Sequence, residues 1–434
     1  MFRSINVRRF VLPLAASAML ATILGMGPGA VRAADAPARR PVAVWPQWRG
    51  PSRDGVTAEG TRWPDRIDET HFKPTWRVEL GPSYSGPIVA ADSVFVTETE
   101  AASEEVVRAL DRQSGKELWQ TRWKGAMRVP FFAMSNGSWI RATPAYDGHS
   151  LFVAGMRDVL VSIDAVSGEQ RWRVDFVSKF QKPMPAFGFV SSPLVVQDHL
   201  YVQAGAAVRK LAKHSGEQIW ATLDDEGGMY GSAFSSPVVV TLAGKKQLLV
   251  QTRQKLAGVD LDSGRVLWFH SIEAFRGMNI LTPTVFGDSV FTSSYGGKSW
   301  LFQVTRRAEA FAVDDLWTNN AQGYMSTPVF IDGHAYLHLR NRRFTCIDLR
   351  SGERTWTTEP YGKYWSLVAN GDRILALDER GDLLLIRATP EKFDLLDERK
   401  ISDDPAWAHL AVCGHEVFVR ELNAMAAYRW CDPE

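Results

Sequence analysis

The chain has 434 residues, of which 45% are hydrophobic and 23% are charged. This composition is typical of a foldable globular protein and excludes a disordered one. The formal net charge is +1, and removing residues 1–33 takes away four arginines and no acid, which shifts it to −3. A balance this close to neutral gives no sign of nucleic-acid binding.

Residues 1–33 have the composition of a secretory signal peptide. A basic start precedes an apolar run over 10–27, and a small-residue cleavage site ends at Ala33. The run is also long enough for an uncleaved membrane anchor. The first cysteine is Cys346, so we expect no lipid anchor on an N-terminal cysteine. The sequence therefore predicts a protein that is exported to the periplasm or secreted, and at a membrane only if the signal is uncleaved.

Residues 34–71 are predicted to be a leader and a bracing loop. The stretch WPQWRGPSRDGV, residues 45–56, is dense in Trp, Pro, Gly and Arg, which favours an ordered loop packed on the main body. Two interpretations of it remain open. It is either a plug or brace on that body, or a segment whose Trp48 and Arg49 line a ligand site.

A ten-residue pattern, exemplified by IDAVSGEQRW over 163–172, occurs five times. It fits a β-hairpin, because Gly accepts a positive φ in the turn and an Asp carboxylate can accept hydrogen bonds from turn N–H groups. The Trp on the outgoing strand offers a flat surface for burial against a neighbouring unit. The glycines are Gly115, Gly168, Gly216, Gly264 and Gly352, and the proposed docking tryptophans are Trp76, Trp119, Trp172, Trp220, Trp268, Trp317 and Trp356.

The period of this pattern predicts the architecture. Successive pattern tryptophans are mostly separated by 48 to 53 residues, a spacing typical of propellers built from four short strands per unit. A second motif, such as SSPLV at Ser191, starts each unit, and eight starts are counted. We therefore predict an all-β, eight-bladed β-propeller of four-stranded antiparallel blades over residues 72–434. Residues 72–80 are expected to close the ring as the missing strand of the last blade.

Aromatic side chains are concentrated in the long loops just ahead of each blade start. Such loops gather on one rim of a propeller, where binding residues usually lie. They either hold a flat or extended ligand or seal the channel and pack the loops. The candidate rim-binding residues are Tyr84, Phe189, Tyr230, Asn279, Tyr324, Tyr364, Trp365 and Trp407.

Catalytic patterns are missing from the sequence. It has no G-x-S-x-G elbow, no H-E-x-x-H pair and no P-loop. The acidic cluster 224–226 is either a calcium loop or a solvated turn. Cys413 and Cys431 fall in the same last blade and are either paired or free. We therefore predict no catalytic residue, no metal ligand and no cofactor.

The repeated D-x-x-S-G-x-x-x-W pattern resembles the tryptophan-docking motif of the pyrroloquinoline-quinone (PQQ) propeller superfamily, over residues 72–430. One branch of that superfamily consists of quinoprotein dehydrogenases that bind PQQ and calcium. The other is similar to BamB and is non-catalytic. The opening at 45–56 also resembles exported PQQ-like proteins of planctomycete-type bacteria.

The resemblance implies the BamB-like branch, because no two cysteines are adjacent and the quinoprotein alcohol dehydrogenases carry a vicinal disulfide. It implies an exported, monomeric scaffold that binds a protein partner at its aromatic rim. The alternative is a PQQ-dependent oxidoreductase of alcohols or sugars with an atypical site. A third possibility is a carbohydrate-binding protein that uses Trp365.

Overall fold

The structure, a computed structural model, describes residues 42–57, 62–231 and 233–431, so the predicted signal peptide lies outside the described residues. Eight sheets of four antiparallel strands make up the described chain. Their arrangement confirms the predicted eight-bladed β-propeller. No helix in the described part is long and apolar enough to cross a membrane.

The strands follow one another in chain order within seven of the blades. Blades 1 to 4 consist of β2 (Ile88–Val89), β3 (Ser93–Glu100), β4 (Glu104–Asp111) and β5 (Glu117–Lys124); β6 (Ala145–Tyr146), β7 (Ser150–Gly155), β8 (Val159–Asp164) and β9 (Gln170–Asp175); β10 (Leu194–Val196), β11 (His199–Ala204), β12 (Ala207–Ala212) and β13 (Gln218–Thr222); and β14 (Val238–Leu242), β15 (Lys245–Gln251), β16 (Lys255–Val259) and β17 (Val266–Ser271).

Blades 5 to 7 consist of β18 (Thr284–Phe286), β19 (Ser289–Ser293), β20 (Ser299–Arg307) and β21 (Ala310–Asn319); β22 (Val329–Ile331), β23 (His334–His338), β24 (Phe344–Asp348) and β25 (Arg354–Thr357); and β26 (Trp365–Asn370), β27 (Arg373–Asp378), β28 (Asp382–Arg387) and β29 (Asp394–Lys400). Three short helical turns lie between blades: a 3₁₀ helix at Phe131–Asn136, the α-helix α1 at Phe176–Phe180, and a 3₁₀ turn at Phe275–Gly277.

Blade 8 joins the two ends of the described chain. It contains β30 (Ala411–Cys413), β31 (Glu416–Arg420) and β32 (Ala424–Trp430), and β1 (Phe72–Glu79) pairs with β32 as its outermost strand. Phe72 lies opposite Trp430 in this register. Pairing β32 with a strand from the other end of the chain covers a sheet edge that would otherwise be exposed. The predicted ring closure by an N-terminal strand is therefore confirmed.

The middle strands of each blade are buried on both faces. Every residue of β27, which reads RILALD, is buried, whereas in the outer strand β9 only Val174 is buried. A blade is packed between two neighbouring blades, so both faces of its centre exclude water. This explains why the central strands read as continuous apolar runs.

The pattern tryptophans lie between consecutive blades. Trp119 Nε1 donates to Ala165 O at 3.1 Å, and a Cβ added to Gly168 would lie 2.7 Å from the Trp119 ring. The same pair of contacts joins Trp220 to Leu261 O at 3.2 Å and to Gly264. These glycines also have positive φ, so the backbone conformation and the close approach of the indole both require a residue without a side chain. Further indole N–H donors reach the next blade from Trp76, Trp172, Trp317 and Trp356.

Trp268 departs from the expected inter-blade contact. Its Nε1 donates to Gln247 Oε1 of its own blade at 2.7 Å. The next blade, blade 5, lacks the Ser-Gly turn at the corresponding hairpin, where β20 and β21 instead extend through nine and ten residues. The carbonyl that receives the other indoles is therefore replaced by a side chain of the same sheet.

A collar of hydroxyl groups connects the blade starts around the channel. Thr143 N donates to Ser192 Oγ at 3.0 Å, and Ser192 N donates to Ser236 Oγ at 2.9 Å. Similar bonds join Gly86 N to Thr143 Oγ1 at 3.0 Å and Leu410 N to Ser366 Oγ at 3.0 Å. In these start motifs the Ser or Thr hydroxyl thus satisfies a backbone donor that no sheet ladder reaches.

The three cysteines do not form disulfides in the structure. Cys346 and Cys413 are buried, and Cys431 is partly exposed. Of the two possibilities that the sequence left open, Cys413 and Cys431 are free.

Candidate functional site

The long loops that lead from the outer strand of one blade to the inner strand of the next lie on one face of the ring, which we call the mouth face. A cavity of about 440 Å³ opens among them at the channel. Six of the eight candidate rim residues line it: Tyr84, Tyr230, Tyr324, Tyr364, Trp365 and Trp407.

Phe189 and Asn279 are not among the lining residues. Phe189 is buried and contacts Phe176 edge to face, with ring centroids 6.2 Å apart. Asn279 is buried and donates to Arg253 O at 3.0 Å. Both side chains hold loops behind the cavity wall, since a position close to a blade start places a residue either on the lining or directly beneath it.

One wall of the cavity is an arc of hydroxyl-bearing and indole rings. Tyr84 stacks on Trp407 with centroids 4.8 Å apart, and Trp407 meets Tyr364 at 4.5 Å. Tyr364 continues to Tyr324 at 5.7 Å and Tyr324 to Tyr295 at 4.7 Å. Burial raises the pKa of the Tyr84, Tyr324 and Tyr364 phenols, which therefore remain protonated donors at neutral pH.

The facing wall consists of phenylalanines. Phe132 meets Phe187 with centroids 6.2 Å apart, and Phe187 meets Phe234 at 5.6 Å. The Arg253 guanidinium lies 4.5 Å above the Phe234 ring, a cation–π contact. The cavity thus lies between two aromatic surfaces of different polarity.

Three arginines that are not among the candidate rim-binding residues also line the cavity. Arg141 directly precedes a blade start, Arg253 lies in the β15–β16 turn, and Arg276 lies in the 3₁₀ turn that follows blade 4. The residue directly before a start motif faces the channel, and this position is the signal that Arg141 carried in the sequence. Arg253 carried no such signal, because its hairpin turn approaches the channel only when the ring is closed.

The segment 45–57 closes the end of the channel that lies away from the mouth. Trp45 exchanges two backbone hydrogen bonds with Val89, of 2.8 and 3.0 Å, at the end of β2. Thr57 N donates to Ala369 O of blade 7 at 2.9 Å, and Arg53 donates to Pro193 O at the start of blade 3, on the opposite side of the ring, at 2.8 Å. The segment therefore spans the channel as a plug, which was one of its two predicted roles.

The other predicted role, in which Trp48 and Arg49 line a ligand site, applies to Trp48 but not to Arg49. Trp48 lines the cavity from below and donates to Thr282 Oγ1 at 3.0 Å, whereas Arg49 is buried beneath it. Arg49 donates to Pro328 O at 2.5 Å, and Arg53 donates to Ser192 O and Pro193 O at 3.0 and 2.8 Å. Burial lowers the pKa of Arg49 to about 10 and that of Arg53 to about 9, so both remain charged at neutral pH.

Large apolar side chains are exposed on the mouth face beside the cavity. Phe131 is 85% exposed, Met134 49% and Phe275 49%. We call the set of exposed residues on these loops the mouth cluster. Its members are Phe131, Phe132, Met134, Met229, Tyr230 and Phe275.

Glu105 links blades 1 and 2 at the mouth face and gives a pH-dependent prediction. Its buried carboxylate accepts hydrogen bonds from Trp123 Nε1 at 2.8 Å and Met156 N at 2.6 Å. Burial raises its pKa from 4.5 to about 7. A raised folded pKa means that stability falls as pH rises through the window from 4.5 to about 7 and then levels off, by about 3 kcal/mol.

We expect Glu105→Gln to remove most of that slope. Urea denaturation of both proteins between pH 4.5 and 8 should show the variant gaining about 3 kcal/mol relative to the parent over the window. Glu104→Gln, at a partly exposed neighbour that pairs with Arg122, is the control and should keep the parent slope. Equal slopes for Glu105→Gln and the parent would contradict the assignment.

Comparisons with known proteins place the chain among relatives of one kind. It is 26% identical over 267 residues to outer membrane protein assembly factor BamB of Yersinia pestis, covering 56% of this chain and 63% of that protein. It is 23% identical over 341 residues to the BamB of Moranella endobia, covering 73% and 80%. The match therefore spans less than two thirds of the Yersinia protein's length.

Solved structures share the fold at low sequence identity. BamB from Moraxella catarrhalis aligns with a TM-score of 0.61 at 13% identity, covering 84% of this chain and 99% of that one. A europium-containing methanol dehydrogenase aligns with a TM-score of 0.52 at 10% identity, covering 89% and 98%. The family model described as outer membrane protein assembly factor BamB matches residues 102–358, more than half of the chain. The protein therefore belongs to this family of PQQ-like β-propellers.

Proposed function

We propose that the protein is an exported, non-catalytic scaffold that docks a protein partner on its mouth face, in the assembly of outer-membrane proteins. Membership of the BamB family supports the process, and the signal-like segment 1–33 supports export. The observation that carries the proposal is the mouth cluster. Exposed apolar side chains gathered on one face mark protein interaction sites.

The mouth cluster differs from the other exposed apolar residues of the described chain. Leu118, Ile219 and Leu316 each stand directly before a pattern tryptophan, where a β-bulge turns one residue outward, and they lie apart from one another in blades 1, 3 and 5. Ring contacts instead connect the loops of the cluster, since Phe132 contacts Phe187 with centroids 6.2 Å apart and Phe187 contacts Phe234, on the loop of Tyr230, at 5.6 Å. A contiguous surface supplies the desolvated centre that a protein interface requires.

The residues that line the cavity give little support to the alternative of a PQQ-dependent oxidoreductase. Calcium that accompanies a bound quinone needs several oxygen ligands, usually carboxylates. The described lining residues include no Asp or Glu, and the described chain holds no group of three metal-ligating side chains. The residues do not fit a quinone with its metal, and we derive no catalytic step through one.

The carbohydrate-binding alternative requires an exposed aromatic face. Trp365 is 3% exposed, and its Nε1 donates to Asp378 Oδ2 at 2.9 Å. One face of its ring stacks on His338 with centroids 5.0 Å apart. These contacts favour a wall residue over a platform for a sugar ring.

The proposal predicts a selective loss of function on removing the mouth cluster. Phe131→Ser combined with Met134→Ser should change the free energy of unfolding by no more than about 0.5 kcal/mol, because both side chains are exposed. In cells that lack the native gene, the double variant should fail to restore outer-membrane β-barrel proteins, measured by quantitative proteomics of the envelope.

Val166→Ser is the matched control, since Val166 is 87% exposed in the β8–β9 turn on the opposite face. It should restore those proteins fully. Full restoration by the double variant at the mouth would refute docking through the cluster. Unchanged β-barrel levels in cells without the gene would refute the assembly role itself.

A further inference from the structure

A row of cationic side chains lies on the mouth face beside the channel. The turn between the second and third strands of each blade lies on this face, because antiparallel strands reverse direction at every turn. We call four residues of these turns and of one loop the basic row: Lys298 between β19 and β20, Arg340 and Arg342 between β23 and β24, and Lys363 just before β26. All four are exposed, and none is among the described residues that line the channel cavity.

Hydrogen bonds between the turns hold the members of the basic row next to one another. Gly296 N and Arg340 Nη1 both donate to Gln322 Oε1, at 3.2 and 3.1 Å, which joins the β19–β20 turn to the β23–β24 turn. Tyr361 N donates to Arg342 O at 2.7 Å, which joins the β23–β24 turn to the loop before β26. The basic row is therefore continuous from blade 5 through blade 6 to the start of blade 7.

The charge of the basic row is not neutralised within the described chain. None of its four cationic groups lies within 4.0 Å of a described carboxylate oxygen. Arg343, in the same turn as Arg340 and Arg342, is instead 3.5 Å from Glu359. Charges of one sign that are held together without counter-ions create a local positive potential, which attracts an anionic partner.

Arg340 is oriented to receive a carboxylate. Its guanidinium lies 4.3 Å from the centre of the Tyr295 ring, and its backbone N–H donates to Gln322 O at 2.7 Å. Within the described chain, Nη1 is the guanidinium nitrogen that donates a hydrogen bond. The remaining N–H groups are available, and a guanidinium fork matches the planar geometry of a carboxylate.

A recess connects the basic row to the mouth cluster. It has a volume of about 360 Å³, and its lining includes Phe275 of the mouth cluster, Arg340 of the basic row, Tyr295 and Glu273. Phe275 contacts Tyr295 with ring centroids 5.7 Å apart, which gives the recess an aromatic wall beside the guanidinium. The four cations and the Glu273 carboxylate together carry a formal charge of +3. Such a recess accepts an apolar side chain that is flanked by anionic groups.

We propose that the basic row and its recess bind an extended acidic segment of the protein partner, with carboxylates on the row and one apolar side chain in the recess. The inference rests on the proposed function, because the segment belongs to the protein that docks on the mouth cluster. A protein segment is favoured over an anionic membrane, since a plane of lipid headgroups places no side chain in a recess. Complementary charge speeds association and fixes the orientation of the partner.

The test uses purified full-length mature protein and a rhodamine-labelled peptide of glutamates with one central phenylalanine. At about 0.05 M salt, fluorescence anisotropy should show this peptide binding at least about tenfold more tightly than the same peptide with glutamine in place of glutamate, because several exposed charge pairs act together. The difference should shrink at about 0.5 M salt, where exposed charges are screened. Equal affinities of the two peptides at low salt would overturn the proposal.

Charge reversal identifies the surface. Arg340→Glu combined with Arg342→Glu should weaken binding of the glutamate peptide at least about tenfold and leave binding of the glutamine peptide unchanged. The control is Arg350→Glu combined with Arg354→Glu, which changes the net charge equally at exposed residues of the same blade, in or beside the β24–β25 turn on the opposite face. The control should bind like the parent. Equal losses in the two double variants would contradict binding at the basic row. Circular dichroism melts of the same samples show that each variant is folded.

Vesicles of equimolar phosphatidylcholine and phosphatidylglycerol test the membrane as the occupant. We expect the parent and the Arg340→Glu, Arg342→Glu variant to co-sediment with them equally. Co-sedimentation that the variant loses, together with equal affinities for the two peptides, would overturn the proposal in favour of a membrane surface.

Failure of this inference is separable from failure of the scaffold proposal. Peptide binding is measured without a partner, whereas restoration of β-barrel proteins is tested with substitutions at Phe131 and Met134, outside the basic row. If the glutamate peptide does not bind but the mouth-cluster variant still fails to restore those proteins, the acidic segment is refuted and the scaffold stands. If the peptide binds at the row but loss of the gene leaves β-barrel levels unchanged, the assembly role is refuted and the surface for acidic peptides stands.

Discussion

Replacing Trp220 by alanine should lower the free energy of unfolding by about 3–5 kcal/mol, as expected for loss of a large buried aromatic side chain. Trp220 is 8% exposed and packs against blade 4, where its ring covers Gly264 and its Nε1 donates to Leu261 O. Alanine leaves a cavity between blades 3 and 4, although Leu261 O still accepts hydrogen bonds from Lys210 Nζ at 2.9 Å and Tyr201 Oη at 3.3 Å. We propose that the indoles between the other pairs of consecutive blades stabilise the ring in the same way.

Ile219 is the matched control, because it is the preceding residue of the same strand and is 49% exposed. Ile219→Ala should change stability by less than about 1 kcal/mol. Urea denaturation followed by tryptophan fluorescence and by circular dichroism gives both values. If Trp220→Ala lowers the free energy of unfolding no more than Ile219→Ala does, packing of the indole between blades 3 and 4 does not stabilise the ring.

Replacing residues 45–57 by a Gly-Ser linker of equal length should also cost about 3–5 kcal/mol. The change removes Trp45, which is 2% exposed, and the hydrogen bonds that join the segment to Val89 of blade 1 and to Ala369 of blade 7. Burying one large side chain contributes about 1.5–3 kcal/mol, and each net hydrogen bond contributes about 1 kcal/mol. The estimate is reduced because removing Arg49 and Arg53 also removes the cost of burying two cations.

Ser52→Ala tests the same segment without disturbing its contacts, because Ser52 is exposed. Its unfolding midpoint should equal that of the parent. Hydrogen exchange provides a local readout, since loss of the plug should increase exchange at β2 and β26 before the outer strands. Unchanged stability and unchanged exchange in the linker variant would show that the segment does not brace the ring.

The repeat made the fold predictable from the sequence. The Gly–Trp spacing is a local constraint, because one glycine must accept a positive φ and an indole at the same time. Blade count and ring closure followed from it by counting. Trp268 shows the limit of such reasoning, since its partner depends on a hairpin in the next blade that lacks the pattern.

The candidate site was less accessible to sequence reasoning. The aromatic positions ahead of each blade start were recognisable because the start motif fixes which residues face the channel. Phe189 and Asn279 are buried behind the lining. Whether a residue near a blade start lies on the lining or behind it depends on how the loops pack. The plug arginines bind carbonyls more than 100 residues away in sequence, so no local pattern could indicate those contacts.

Site-specific photo-crosslinking tests most directly whether the mouth face is the docking surface. A photoreactive phenylalanine analogue at position 131 is compared in cells with the same analogue at position 166, since both positions are more than four-fifths exposed and lie on opposite faces. We predict one discrete protein adduct from position 131, lost with Met134→Ser, and none from position 166. Adducts of equal yield from both positions, or an adduct from position 166 alone, would contradict the proposed docking surface.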